Sequence, residues 1–124
     1  MTHVTRYISH VTFDSVETLR DRSYAVFGNR YVAEVVTAIS EETAVAGSQV
    51  TVRMIASRAR LNDSLVQLVT KRLVNAELLH RLPQDRPRAP AYHEVQRSGG
   101  RWQALVDLCQ RLADPVDQGV DSEV

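Results

Sequence analysis

Apolar side chains recur every three or four residues along much of the chain, a spacing that puts them on one face of an α-helix. Residues 4–13 are ambiguous, because their apolar spacing suits a helix while their β-branched content suits a strand. Asp14, followed three residues later by Glu17, fits a capping box and predicts a helix that stops at Gly28. A second helix is predicted after Asn29. Its apolar face consists of Tyr31, Val32, Val35, Val36 and Ile39.

The middle of the chain predicts a short strand followed by two helices. Residues 49–52 form the candidate strand, and Thr51 is also a good N-cap for the helix that follows. The inner side of that helix carries Ile55, Ala56 and Ala59. Residues 61–64 predict a tight turn that caps a further helix reaching about Asn75. The inner face of this second helix consists of Val66, Val69 and Leu73.

A hairpin and a last helix are predicted next. Residues 78–82 and 91–96 are strand candidates on either side of residues 83–90, where three prolines exclude a helix or a central strand. After a break at residues 98–100, apolar spacing predicts a final helix. Its apolar residues are Trp102, Leu105, Val106, Leu108, Cys109 and Leu112. Residues 113–124 are acidic with little to bury, which predicts a disordered tail.

This order of elements resembles the winged helix-turn-helix regulators of the MarR and ArsR type, from roughly residue 51 to residue 95. The matching positions are Ile55-Ala56, Leu61-Asn62, Ser64, Val66, Leu73 and Ala76-Glu77-Leu78-Leu79. The resemblance implies a mainly α fold with a small β-hairpin. We therefore expect a possible dimerisation arm at 1–13, a winged helix-turn-helix domain at 14–112 and the tail at 113–124.

Two positions depart from the pattern of these families. Arg60 stands in the turn and Glu77 stands before the first wing strand, where the families usually have glycine. Larger side chains tolerate a left-handed backbone poorly. The departures leave room for a turn that is longer or differently shaped.

Charge is unevenly distributed, although the formal net charge is zero. Residues 1–50 have a balance of −2, with four Arg against six acids. Residues 51–101 have a balance of +6, with ten Lys and Arg against four acids, and residues 102–124 have a balance of −4. A basic block over the helix-turn-helix is typical of a nucleic-acid-binding surface, although chance clustering on a solvated face is the alternative.

The second helix of the pair has the two faces that a recognition helix needs, one apolar and one polar. Ser64, Gln67 and Lys71 share the polar face, since they are spaced by three and four residues. Gln67 suits an adenine edge, Lys71 a phosphate or a guanine, and Ser64 a phosphate near the helix N-terminus. Leu65 and Leu68 flank this strip and suit either thymine methyls or the core. An ordinary solvated face is the alternative for the whole strip.

Arginines around this helix supply further candidate contacts. In the proline-rich loop they suit the DNA backbone or minor groove, or else they only keep the loop soluble. Arg58, Arg97 and Arg101 are additional candidates for phosphate contact. The complete set of predicted DNA-binding residues is Arg53, Arg60, Asn62, Ser64, Gln67, Leu68, Lys71, Arg81, Arg86 and Arg88.

Other classes of function receive little support. Cys109 is the only cysteine and is expected to be a buried thiol, and His80 and His93 facing each other across the hairpin do not by themselves make a metal site. No cofactor, catalytic residue, membrane span or secretory signal is predicted, which makes the cytoplasm the default location.

The sequence therefore predicts a sequence-specific, double-stranded-DNA-binding transcriptional regulator, a repressor acting as a homodimer, with no effector identified. The dimer surface is expected from the apolar N-terminal segment and the last helix around Trp102, although these residues also suit the monomer core. The alternatives are a winged-helix adaptor for protein–protein contact, and a protein controlling plasmid or phage partition or replication.

Overall fold

The computed structural model describes residues 2–115, with side chains from residue 15 onward, as α-helices and a small antiparallel sheet. The elements in order are α1 (Thr2–Phe27), α2 (Val32–Ala46), β1 (Gln49–Thr51), α3 (Val52–Ala59), α4 (Asp63–Asn75), β2 (Leu79–Arg81), β3 (Tyr92–Val95), a 3₁₀ turn (Ser98–Gly100) and α5 (Arg101–Ala113).

The first helix is longer than the sequence pattern indicated. It begins at Thr2 and runs without a break to Phe27, so the predicted start at Asp14 is wrong and residues 4–13 are helical rather than extended. A capping box does not force a helix to begin when helical residues already precede it. The side chains of the possible dimerisation arm at 1–13 lie outside the described residues, as does the predicted tail from residue 116 onward.

Helix α2 forms the centre of the core. Val35, Val36 and Ile39 are completely buried, because α1, α3, α5 and β1 all pack around this helix. Each such side chain contributes roughly 1.5–3 kcal/mol when it is removed from water. The α2 helix is therefore the frame against which the two helices of the helix-turn-helix are held.

Polar contacts fix α1 against this frame. Arg20 makes a two-pronged ion pair with Glu34, with Nε to Oε1 at 2.7 Å and Nη2 to Oε2 at 3.1 Å. The buried Ser23 hydroxyl donates to the carbonyl of Asn29 and accepts from the backbone N–H of Ala33. These bonds bridge the connection between α1 and α2.

Helix α5 completes the core and corrects one expectation. Trp102 is only 2% exposed and packs in the same cluster as Val106 and Cys109. The expectation that Trp102 forms dimer surface is therefore wrong, because α5 turns this face toward α2. Burial also raises the pKa of the Cys109 thiol to about 12, so it stays protonated at neutral pH.

The sheet has the strand order β1-β3-β2, with β3 paired antiparallel to both neighbours. In its register His93 lies opposite Arg81, whereas His80 lies opposite Glu94. The two histidines therefore do not face each other, and that expectation is wrong. A hairpin closing beside two consecutive helices defines a winged helix, the fold class expected from the sequence.

Both helices of the helix-turn-helix end in a left-handed residue that is not glycine. Arg60 has φ 59° and Glu77 has φ 62°. After Glu77, the N–H of Leu78 bonds to Leu73 O and that of Glu77 bonds to Val74 O, both at 2.9 Å, which is a Schellman motif. Only residues 60–62 separate α3 from α4, so the turn between these helices is short. Arg60 and Glu77 occupy left-handed positions in which the families usually have glycine.

Candidate nucleic-acid interface

Helix α4 is held with one face buried and the opposite face in solvent. Val66 and Val69 are fully buried and Leu73 nearly so, while Gln67 and Lys71 are exposed. Asn62 is the N-cap of this helix. Its Oδ1 accepts from Leu65 N at 3.0 Å and from the Ser64 hydroxyl at 2.8 Å. Asn62 and Ser64 therefore have a capping role in addition to any contact with a ligand.

The structure brings the polar strip of α4 together with the wing. Gln67 and Lys71 line one groove with Arg81 of β2, so predicted site residues far apart in the sequence share one surface. The groove measures about 410 Å³. Its lining residues are Val52, Gln67, Thr70, Lys71, Val74, Arg81, Ala91 and His93.

Leu68 projects from α4 beside this groove and is 58% exposed. Leu65, one turn closer to the start of the helix, is half-buried. The alternative that Leu68 belongs to the core is therefore excluded. An apolar side chain in this position is available to touch a thymine methyl group.

The arginines of α3 differ in how they are held. Arg53 is 81% exposed, and its Nε lies 3.2 Å from Oδ2 of Asp63. Arg58 donates from Nε to Glu42 at 2.7 Å, and this hydrogen bond raises the pKa of its guanidinium. Arg60 is exposed in the turn, so Arg53 and Arg60 remain accessible while Arg58 is tied to α2.

The wing loop between β2 and β3 is organised by a glutamine that the sequence analysis did not single out. Gln84 donates from Nε2 to the carbonyl of Ala89, and its Oε1 accepts from Arg81 Nη2 at 3.5 Å. A turn bond from Ala89 N to Arg86 O, at 3.0 Å, closes the loop tip. Arg86 and Arg88 are exposed there. No pattern along the chain marks Gln84, because its hydrogen-bond partners are set by how the loop folds back.

His93 was also missed as a component of this surface. It is 6% exposed, and burial together with the nearby Arg81 lowers the pKa of its imidazole. Within residues 15–115, its Nδ1 atom is buried without a hydrogen-bond partner. Only the strand register reveals this environment, because His93 on β3 pairs with Arg81 on the adjacent strand β2, and the two residues are not close along the chain.

The described part of the chain lacks two other functional features. No group of three or more histidine, cysteine or carboxylate side chains there is arranged to hold a metal ion. Among the described helices, none combines the length and apolar character needed to cross a membrane.

Solved structures place this architecture among known folds. MepR, a transcription regulator of the Staphylococcus aureus multidrug efflux pump MepA, matches with a TM-score of 0.56 at 16% identity, over 94% of this chain and 78% of MepR. A MarR family transcriptional regulator from Silicibacter pomeroyi matches with a TM-score of 0.57 at 16% identity, over 94% of this chain and 77% of its own.

A mutant of Escherichia coli MarR, solved in complex with operator DNA, matches with a TM-score of 0.54 at 16% identity, over 88% of this chain and 72% of MarR. No protein-family model matches the sequence, and no curated protein matches it. At these identities the matches establish the winged-helix fold, and the structural neighbours are MarR-type regulators.

Proposed function

We propose that this protein is a sequence-specific, double-stranded-DNA-binding transcriptional regulator that acts as a homodimeric repressor. The observation that carries the proposal is the shared surface of Gln67 and Lys71 on α4 with Arg81 on the wing. An α-helix fits the major groove, so the exposed face of α4 is presented to base edges. The wing arginines Arg86 and Arg88 then lie beside the backbone or the minor groove.

The predicted DNA-contact residues divide by chemistry. Gln67 and Leu68 are suited to base edges, whereas Lys71, Arg53 and Arg60 are suited to phosphates or, for Lys71, to a guanine. In support, a structural neighbour of this fold was solved in complex with operator DNA.

The proposal of a homodimer rests on exposed apolar residues of α1 and α5, which pack against each other. Tyr24 is 60% exposed and Val26 is 51% exposed near the end of α1, and Leu108 is 40% exposed on α5. A single helix and wing read only a few base pairs, so two-fold pairing on a palindromic site extends the recognised sequence.

Sedimentation tests the dimer. At micromolar concentration we expect the wild-type protein to sediment as a dimer and Leu108→Glu to shift it toward monomer. Gln110→Glu, at an exposed position of the same helix that points away from the Leu108 face, is the matched control. A wild-type protein that sediments only as a monomer contradicts the dimer.

DNA binding is tested in two stages. Selection of bound fragments from genomic DNA first yields a duplex, and its affinity is then measured over a salt series. We expect a log–log slope of roughly −3 to −6 per dimer, because released counterions drive binding. Lys71→Ala and Arg86→Ala should each flatten the slope by about 2 per dimer, and Arg111→Ala on α5 should leave it unchanged.

Absence of binding to any duplex at low salt contradicts the proposal. A winged-helix adaptor for protein contact is then the favoured function, and the zero formal net charge of the whole chain suits it. Binding that loses no affinity as salt increases also contradicts the assignment of Lys71 and the wing arginines to phosphates.

A further inference from the structure

The groove between α4 and the hairpin has the lining of an anion site. Two cationic side chains reach it from different elements, Lys71 from α4 and Arg81 from β2. The amide of Gln67 adds a neutral donor. None of the eight described lining residues is acidic, and the apolar part of the lining comes from Val52, Val74 and Ala91.

His93 lies in this lining at the centre of the sheet. Its neighbours across the strands are Val50 on β1 and Arg81 on β2. The charged groups that face it are therefore Arg81 and, across the groove, Lys71, while α3 contributes only the apolar Val52. The adjacent Glu94 alternates to the other face of β3, where it lies opposite His80.

A proton on His93 would add a third positive charge to a lining that contains no carboxylate. Burial and Arg81 both disfavour that charge and lower the pKa of the imidazole. Since the folded-state pKa lies below the unfolded one, the unfolded chain binds more protons in acid. Without a bound anion, the free energy of unfolding therefore falls as the pH drops below the ordinary histidine value of 6.5.

We propose that this groove binds a phosphate group, and that its affinity increases when His93 takes up a proton. Lys71 supplies a point charge, and the planar guanidinium of Arg81 supplies paired N–H donors that match two oxygens of a tetrahedral oxyanion. The bound anion provides the counter-charge that His93 lacks. Anion binding and protonation therefore favour each other, and each strengthens the other by the same factor.

The phosphate group has two possible sources, a phosphodiester of DNA or a free phosphate. The DNA source rests on the proposed function, because α4 must lie in the major groove for a backbone phosphate to reach Lys71 and Arg81. The anion site itself does not depend on DNA binding. The experiment therefore has one arm without DNA and one arm with it.

The first arm uses sulfate, whose charge does not change between pH 5.5 and 7.5. The imidazole signals of His93 and His80 are followed by NMR during a sulfate titration at constant ionic strength. We expect sulfate to bind several-fold more tightly at pH 5.5 than at 7.5, and to raise the pKa of His93 by about one unit, which limits the gain to about tenfold. His80, which is exposed on the other face of the hairpin, serves as the internal control and should not shift.

Variants separate a local site from a general salt effect. His93→Gln should abolish the pH dependence and retain weak sulfate binding, and Lys71→Ala should weaken binding at every pH. If His93→Gln does not fold, the wild-type titration alone decides, because an unchanged His93 pKa in sulfate overturns the proposal. Equal sulfate affinity at both pH values also overturns it.

The second arm measures duplex affinity over the same pH range in wild type and His93→Gln. We expect wild-type affinity to rise in acid and the variant to be flat. Sulfate binding linked to His93 without any DNA binding would contradict the proposed function while supporting the anion site. DNA binding without any effect of sulfate on His93 would overturn the anion site while leaving the proposed function intact.

Discussion

Arg53 and Asp63 join the two helices of the helix-turn-helix, with Nε of Arg53 3.2 Å from Oδ2 of Asp63. Both side chains are substantially exposed, so solvent weakens the pair and a nearby phosphate competes for the arginine. Asp63 also brings a negative charge to the first turn of α4. In the proposed complex, the Asp63 carboxylate pairs with an arginine that would otherwise contact DNA, and it also repels the phosphate backbone of the DNA.

We predict that Asp63→Asn increases affinity for DNA by about threefold at low salt and steepens the salt dependence. The substitution releases Arg53 and removes the repulsion, and it lowers the free energy of unfolding by about 0.3–1 kcal/mol through the lost helix-dipole interaction. Fluorescence anisotropy and urea unfolding measure the two effects. Asp107→Asn on α5 is the matched control, and equal gains in both variants would mean that only net charge matters.

Glu77 provides a test of backbone strain. At φ 62° a residue with a Cβ is disfavoured by about 1 kcal/mol, so Glu77→Gly should raise the free energy of unfolding by about that amount. Ala76→Gly is the neighbouring control: Ala76 has φ −86°, where glycine only adds flexibility, so this change should destabilise. Urea unfolding that shows the same sign for both variants would contradict the interpretation.

The sequence predicted the features that depend on hydrogen bonds between residues close together along the chain, such as helix caps. Thr51 caps α3 as expected, and α4 begins in the predicted turn at residues 61–64, where Asn62 is the cap. Each of these side chains accepts from an N–H three residues further along the chain. Contacts across elements could not be predicted in this way. His93 meets Arg81 through the hairpin register, which no pattern along the chain encodes. Apolar spacing placed Trp102 on one face of α5, but it did not say whether α2 or a second copy of the chain covers that face.

Gln84 connects the loop of the wing to its strand. Because it accepts from Arg81 and donates to Ala89, Gln84→Ala should let the loop move and lower DNA affinity by about threefold, through the entropy lost when the loop is ordered on binding. The salt slope should not change, since no charge is removed. Gln96→Ala, outside the loop, is the control. A flatter slope in Gln84→Ala would indicate that Arg81 has lost its phosphate contact instead.

Leu68 and Val69 are neighbours on α4 with opposite environments, 58% exposed and fully buried. Val69→Ala should lower the free energy of unfolding by about 2 kcal/mol, because it leaves a cavity in the core. Leu68→Ala should change it by no more than about 0.5 kcal/mol.

On DNA the order of these two effects should reverse. If Leu68 touches a thymine methyl, Leu68→Ala should reduce affinity for the selected duplex by about fivefold and leave affinity for random-sequence DNA unchanged, since phosphates dominate non-specific binding. Val69→Ala should affect both duplexes alike at temperatures where it remains folded. Anisotropy titrations on the two duplexes measure the ratio, and an equal loss on both in Leu68→Ala would remove Leu68 from sequence recognition.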